Sequence, residues 1–161
     1  MFSVGQNVLY GTNGVCVIND ITEKKVGKIS MEYYVLKPLG ANSSTLFVPT
    51  KNEQLVKRIR GVLTKDEIDS ILADLPEAGE WNDNKQERSE EFKNTISNGE
   101  CVELIRMIRL IKSHSELISR SGRRLHMSDE RYLKEAEKMV SEEISFALGV
   151  DRQTAIEMVL K

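Results

Sequence analysis

The stretch "NVLYGTNGVCVINDI", residues 7–21, sets the fold of the first part of the chain. Two short runs rich in Val, Leu, Ile and Tyr flank "GTNG", a typical composition for strands on either side of a turn. Gly14 follows Asn13, and an Asn-Gly pair suits the positive φ of a tight turn. The stretch therefore predicts two strands joined by a hairpin.

Three more short apolar runs follow before residue 60, with no helical pattern between them. They are "MEYYVLKPL" (31–39), "TLFVPT" (45–50) and "QLVKRIR" (54–60), separated by a basic turn at 22–28 and a turn at 40–44. Five strands this short, without crossover helices, have to pair antiparallel. We expect a small half-open barrel of the SH3 or Tudor type over residues 1–60. Pro49 should lie at a strand end or edge, because proline cannot donate to a ladder.

Beyond residue 60 the apolar period becomes that of helices. Thr64 and Glu67 form a capping box, and Pro76 and Gly79 end that helix, so residues 61–80 are expected to be a short helix and linker. Residues 81–161 then predict a compact helical bundle. Its helices are expected to begin near Asp83, after Gly99, at Ser128 and at Asp151. We expect Val102 and Leu117 in the buried stripe of the helix that follows Gly99, and Leu160 in the stripe of the last helix. The fold class is α+β.

Enzyme motifs are lacking in this sequence. It has no phosphate-binding loop, no G-x-G-x-x-G after a strand and no G-x-S-x-G. Cys16 and Cys101 form no CxxC pair and are expected to be buried thiols, while His114 and His126 are interpreted as ordinary surface or loop residues. We expect a non-enzymatic protein without metal or cofactor. No apolar run is long enough for a membrane span and the N-terminus lacks a signal core, so we expect a cytoplasmic monomer.

A basic band interrupts an otherwise acidic second half. The net charge is −2, yet residues 104–134 hold eight basic residues against three acidic ones. The basic residues of the band are Arg106, Arg109, Lys112, Arg120, Arg123, Arg124, Arg131 and Lys134. Such arginines can be a solvated helix face paired with Glu103 or Glu116. Their concentration favours a surface that follows a phosphate backbone.

Trp81 is the only tryptophan, and it precedes a strongly polar segment. Three roles are compatible with this position. The ring packs on Phe92 and Ile96 in a core, it seals the interface between the barrel and the bundle, or it is exposed in order to stack on something flat.

The order of these features resembles the CarD/CdnL family of bacterial transcription regulators. The residues that carry the resemblance include Val4-Gly5, Val8, Tyr10 and Gly14, then Tyr34-Val35-Leu36, Val48-Pro49, and Trp81 followed by Lys85 and Arg88. The resemblance spans almost the whole chain.

The resemblance implies that the N-terminal domain binds the β subunit of RNA polymerase. It also implies that the helical domain binds promoter DNA at the upstream edge of the −10 element, with Trp81 as a wedge in the minor groove, and so stabilises the open complex. Where the family often has an arginine before Val48-Pro49 this chain has Phe47, so the polymerase contact depends on Phe47 or on Lys24 and Lys25.

We therefore predict one set of DNA-contacting residues and keep one alternative. The set is Trp81, Lys85, Arg88, Arg106, Arg109, Lys112, Arg123, Arg124, Arg131 and Lys134, and whether Arg131 or Lys134 takes the place of a family lysine stays open. The alternative is a protein–protein adaptor with no direct DNA contact.

Overall fold

The computed structural model of the protein describes residues 2–40 and 44–161, so part of the turn predicted at 40–44 lies outside the described residues. The chain forms two compact units, Met1–Val62 and Leu63–Lys161. The first is built on a five-stranded antiparallel sheet and the second on helices, which confirms the predicted α+β class.

The sheet of the first unit contains β1 (Asn7–Tyr10), β2 (Val15–Val26), β3 (Ile29–Pro38), β4 (Leu46–Pro49) and β5 (Ile59–Gly61). The strand order is β4-β3-β2-β1-β5, and every neighbouring pair is antiparallel. The 3₁₀ turn Gly11–Asn13 joins β1 to β2, with Gly14 at φ 75°. Pro49 ends β4, an edge strand, as predicted.

Two predictions for this unit were wrong. The basic segment at 22–28 is not a turn, because β2 continues to Val26 and the hairpin reverses at Gly27, whose φ is 66°. The run at 54–60 is not one strand. It begins with helix α1 (Glu53–Val56), because the Asn52 side chain accepts from the Leu55 N–H at 3.2 Å and caps a helical turn.

One face of the sheet carries the core of the first unit. Val8, Cys16, Ile18, Leu36 and Val48 are almost completely buried there. The β2–β3 register shifts between Ile18 and Asp20, which marks a bulge. Since side chains alternate along a strand, the residues between the core positions face the opposite side.

The second unit contains α2 (Lys65–Ala73), α3 (Lys85–Asn98), α4 (Cys101–Ser119), α5 (Met127–Leu148) and α6 (Arg152–Val159). Thr64 and Asp151 cap α2 and α6 through their side chains, as predicted. The cap of α3 is Asn84 rather than Asp83. The cap of α5 is His126 rather than Ser128, and Ser128 lies inside the first turn.

The helices surround one apolar core. Its members include Ile68, Leu104, Ile105, Ile108, Ile111, Leu133, Ala136, Val140, Ile144 and Val159. Val102, Leu117 and Leu160 were expected in the buried stripes but are exposed. Helix α2 is an integral part of the bundle, because Ile68 is in its core and the Leu63 N–H donates to the Glu143 carboxylate of α5 at 3.0 Å. Among the described helices, none combines the length and apolarity needed to cross a membrane.

Candidate functional site

Trp81 lies just before α3, half-buried against the core of the helical unit. Its ring is parallel to the imidazole of His114 on α4, with 3.7 Å between ring centroids and 2° between ring planes. Phe92 lies 6.2 Å away, centroid to centroid, and the Arg88 guanidinium carbon is 4.6 Å from the ring centroid. Trp81 is thus partly covered by its own unit.

Arg88 is buried, with only 3% of its surface accessible. Its Nε and Nη2 donate to the two carboxylate oxygens of Asp129, each at 2.9 Å, and its Nη1 donates to the Asn82 carbonyl at 2.8 Å. A bidentate pair of this kind consumes the donors that a phosphate would need. The prediction that Arg88 contacts DNA is therefore corrected: Arg88 ties the segment after Trp81 to the start of α5.

A cleft of about 590 Å³ opens beside Trp81. It is lined by Trp81, Asp83, Lys85, Arg88, His114, Leu117, Ile118, Ser121, Arg123, Arg124, Leu125, His126 and Asp129. The segment before α3, the first turn of α3, the second half of α4, the loop between α4 and α5 and the first turn of α5 supply these residues. The structure therefore brings Trp81 together with three of the predicted basic residues that remain exposed, Lys85, Arg123 and Arg124.

The cleft is electropositive although the chain is not. Arg88 and Asp129 neutralise each other, which leaves Lys85, Arg123 and Arg124 against Asp83. The aromatic ring and the cations suit a nucleic-acid strand, whose bases stack and whose phosphates need positive charge.

The basic residues of α4 do not line this cleft. Arg106 pairs with Glu103 on the surface at 3.1 Å, and Lys112 lies 3.8 Å from Glu137. Lys112 precedes His114 by two positions, about 200° around the helix, so the two side chains leave on opposite sides. The three basic positions predicted on this helix therefore do not extend the cleft.

Arg109 has a structural contact at the end of the chain. Its Nη1 donates to the carbonyls of Val159 and Lys161, each at 2.9 Å. Carbonyls in and just after the last turn of a helix lack intrahelical partners, and a guanidinium there satisfies them. We therefore remove Arg109 from the DNA-contacting set.

Arg131 and Lys134 lie on the exposed side of α5, also outside the cleft. The Arg131 guanidinium is 5.3 Å from the Tyr132 ring centroid, and Lys134 Nζ is 3.8 Å from Glu130. Both side chains therefore make local contacts on α5.

Sequence reasoning missed His114, which was interpreted as an ordinary residue. His114 stands three positions after Ile111 and four before Ile118, so it continues the inward stripe of α4. Its pKa is lowered from 6.5, first because burial removes water and next because Arg88 is close, with Arg123 acting in the same direction and Asp83 and Asp129 opposing. The imidazole stacked on Trp81 is therefore neutral at pH 7.

The predicted polymerase-contacting residues lie in the first unit. Lys24 Nζ is 3.5 Å from the centroid of the Phe47 ring, and Tyr33 meets the same ring edge to face at 6.3 Å. Phe47 is on the edge strand β4 and is 43% exposed. Lys25 follows Lys24 on a strand, so it faces the opposite side of the sheet. The structure thus joins Lys24 to Phe47 and separates Lys25 from both.

An apolar stripe continues from Phe47 along the outer face of the β2–β3 hairpin. Val26 and Ile29 are opposite each other near its tip, 66% and 65% exposed, and Met31 lies opposite Lys24. We call Lys24, Val26, Ile29, Met31 and Phe47 the outer apolar face. Exposed apolar patches on a small domain mark a protein-interaction surface.

The first unit also matches a known family. Residues 2–61 match the family described as CarD-like/TRCF RID domain. This N-terminal domain is CarD-like, in agreement with the resemblance found in the sequence. The domain is a protein-interaction module, and it indicates an RNA polymerase-interacting, transcription-associated protein. A search of curated proteins gave no match to the chain.

Proposed function

We propose that the protein regulates transcription initiation by binding the RNA polymerase β subunit through its first unit and promoter DNA through its helical unit. The observation that carries the DNA-binding half is the cleft beside Trp81, where the single tryptophan meets Lys85, Arg123 and Arg124 in a chain of net charge −2. Its polymerase-binding half is supported by the domain match at residues 2–61.

The outer apolar face is the proposed polymerase contact. Burying Val26, Ile29 and Phe47 removes apolar surface from water, which contributes roughly 25 cal/mol per Å². Because β4 is an edge strand, its backbone can also pair with a strand of the partner. Lys24 over the Phe47 ring keeps a positive charge inside this otherwise apolar surface.

The cleft is the proposed DNA contact. Lys85, Arg123 and Arg124 would hold phosphates, which positions the protein without reading sequence. Three such contacts give weak binding on their own, because affinity from phosphate neutralisation falls steeply with salt. Attachment to the polymerase would raise the local concentration of the cleft near the promoter.

Trp81 would act at the upstream edge of the transcription bubble, where the family resemblance implies contact with the −10 element. Inserting a ring at a base step costs a few kcal/mol of unstacking, and the cost is smallest where the duplex is already opening. Stacking on a base contributes about 1–3 kcal/mol.

The second candidate is an adaptor without DNA contact. The observation that favours it is the partial burial of Trp81 and its contacts with Phe92, Arg88 and His114, which are those of a structural residue. An adaptor would still bind polymerase through the outer apolar face, so polymerase binding does not separate the two functions.

The deciding experiment measures the lifetime of open promoter complexes formed by bacterial RNA polymerase, after addition of a competitor, with and without the full-length protein. The proposal expects a longer lifetime with the protein, and loss of that effect when Lys85, Arg123 and Arg124 are replaced together by alanine. If the protein is an adaptor, the wild-type protein and the triple variant both bind polymerase, and neither changes the lifetime of the open complex.

A further inference from the structure

The contact between Trp81 and His114 joins two elements that are distant in sequence. Trp81 lies in the segment before α3 and His114 lies within α4. Their rings are parallel within 2° at a centroid distance of 3.7 Å, the spacing of a full face-to-face contact. The Arg88 guanidinium carbon also lies over the indole, 4.6 Å from the ring centroid, so His114 is the parallel aromatic contact of a ring that Arg88 covers as well.

Both rings are held by rigid neighbours. His114 is fixed by α4, whose adjacent stripe residue Ile111 is completely buried. The chain after Trp81 is fixed by Asn82, whose carbonyl accepts from Arg88 at 2.8 Å and whose side-chain oxygen accepts from the Asn84 N–H at 2.9 Å. The backbone of Trp81 is thereby anchored, and its side-chain orientation depends on the rings around it.

We propose that His114 is the positioning residue for Trp81: its imidazole fixes the orientation of the indole in the cleft before DNA arrives. This inference rests on the proposed role of Trp81 at promoter DNA. A ring that is already oriented loses less conformational freedom on binding, so pre-organisation strengthens the complex without adding a contact to DNA. His114 acts through Trp81 and does not itself touch the base.

Burial is the main cause of the lowered pKa of His114, and charged groups from the surrounding elements modify it. Arg88 of α3 and Arg123 of the loop before α5 disfavour protonation, and Asp83 and Asp129 favour it. Lys85, Arg124 and His126 line the same cleft. Because its pKa lies below 6.5, the stacked ring is neutral at pH 7 and gains a proton only in acid. Protonation places a cation against the indole, so Trp81 reports it directly.

The first test uses the intrinsic fluorescence of the full-length protein without DNA, since Trp81 is the only tryptophan. We expect the emission to change as the pH falls below 6.5, because the pKa of His114 is lowered from that value. His114→Phe should keep the ring contact and lose this transition. His126→Gln, which removes the only other histidine, should retain it. His114→Leu should lose the transition and make Trp81 more accessible to acrylamide quenching.

The second test measures open-complex lifetime with the same variants. His114→Leu should shorten it by about 2-fold to about 12-fold, the range that corresponds to one aromatic pair. His114→Phe should restore most of it, and His114→Leu should have no further effect when Trp81 is already alanine.

The outcomes separate this inference from the proposed function. If Trp81→Ala leaves the lifetime unchanged, the proposed DNA role of Trp81 is wrong, while the fluorescence still decides whether His114 orients the ring. If His114→Leu leaves Trp81 emission and quenching unaltered, or lengthens the open-complex lifetime, His114 does not position the indole. If His114→Leu does not fold, a pH transition that persists in His114→Phe overturns the inference.

Discussion

Arg88 and Asp129 form a buried bidentate ion pair in which both N···O distances are 2.9 Å. The pair connects α3 to the first turn of α5, and a third donor of Arg88 binds the Asn82 carbonyl next to Trp81. Arg88 therefore shapes one side of the cleft without offering its charge to a ligand.

Replacement of Arg88 by methionine should destabilise the helical unit by about 3–5 kcal/mol, because it leaves the Asp129 carboxylate buried without its partner. Urea unfolding of the full-length protein measures this change. Lys85→Met, an exposed position one turn earlier on α3, should change the free energy of unfolding by no more than about 0.5 kcal/mol. Equal effects of the two variants would show that the ion pair contributes nothing specific.

The burial of Arg88 explains what the sequence could and could not predict. The change from strand to helical period near residue 60, and the caps at Thr64 and Asp151, depend on nearby residues and were predicted correctly. The Arg88–Asp129 pair depends on two helices meeting in space. Its only local signal is that Arg88 stands four residues before Phe92, on the apolar stripe of α3.

The predicted set of DNA-contacting residues also depends on how the helices meet in space. The three-residue spacing of Arg106, Arg109 and Lys112 indicates one polar face of a helix, but it does not show which side of α4 faces the cleft. That side is decided by the packing of α4 against α5, which takes Lys112 toward Glu137. A list of basic residues from sequence is therefore broader than the surface that shares a cleft with Trp81.

The basic residues of the cleft should set the salt dependence of DNA binding. Arg123→Ala and Arg124→Ala should each reduce the slope of log affinity against log salt by about one unit, with similar effects on all DNA sequences. Arg106→Ala is the matched control, since Arg106 is an exposed arginine outside the cleft that pairs with Glu103. A decrease of the slope in Arg106→Ala would instead support the whole basic band as the DNA surface.

The two adjacent lysines of β2 should differ in polymerase binding. Lys24→Ala and Phe47→Ala should each weaken binding to the β subunit by about fivefold or more, as expected for a contact worth over about 1 kcal/mol. Lys25→Ala should have little effect, because Lys25 faces the other side of the sheet. Surface plasmon resonance with immobilised polymerase measures all three, and equal losses for Lys24 and Lys25 would place the contact elsewhere.

The helical unit should lose stability in mild acid because of His114. Its folded pKa is lowered from 6.5, so below that pH the unfolded chain binds more protons than the folded one. The free energy of unfolding should therefore decrease as the pH falls from about 6.5 toward the folded pKa, and be fully present above that range. His114→Phe should flatten this part of a stability profile measured by urea unfolding at pH values above about 5, where carboxylates remain ionised. An unchanged profile in that variant would assign the effect to other groups.

Trp81→Ala should affect both stability and function, and a matched variant separates the two. Removing a fully buried aromatic ring lowers the free energy of unfolding by about 3–5 kcal/mol. Because the Trp81 ring is only half-buried, its removal should lower it by roughly 1–3 kcal/mol. Open-complex lifetime should decrease by a factor of about 5 to 150, the equivalent of one base stack.

Ile144→Val is the matched variant. It removes a methylene from the core of the same unit and should lower the free energy of unfolding by about 0.5–1.5 kcal/mol without altering the cleft. Measured where both variants are folded and polymerase-bound, the lifetime should fall only for Trp81→Ala. A shared decrease would mean that the helical unit acts through its stability, and an unchanged lifetime in both would leave Trp81 with a structural role alone.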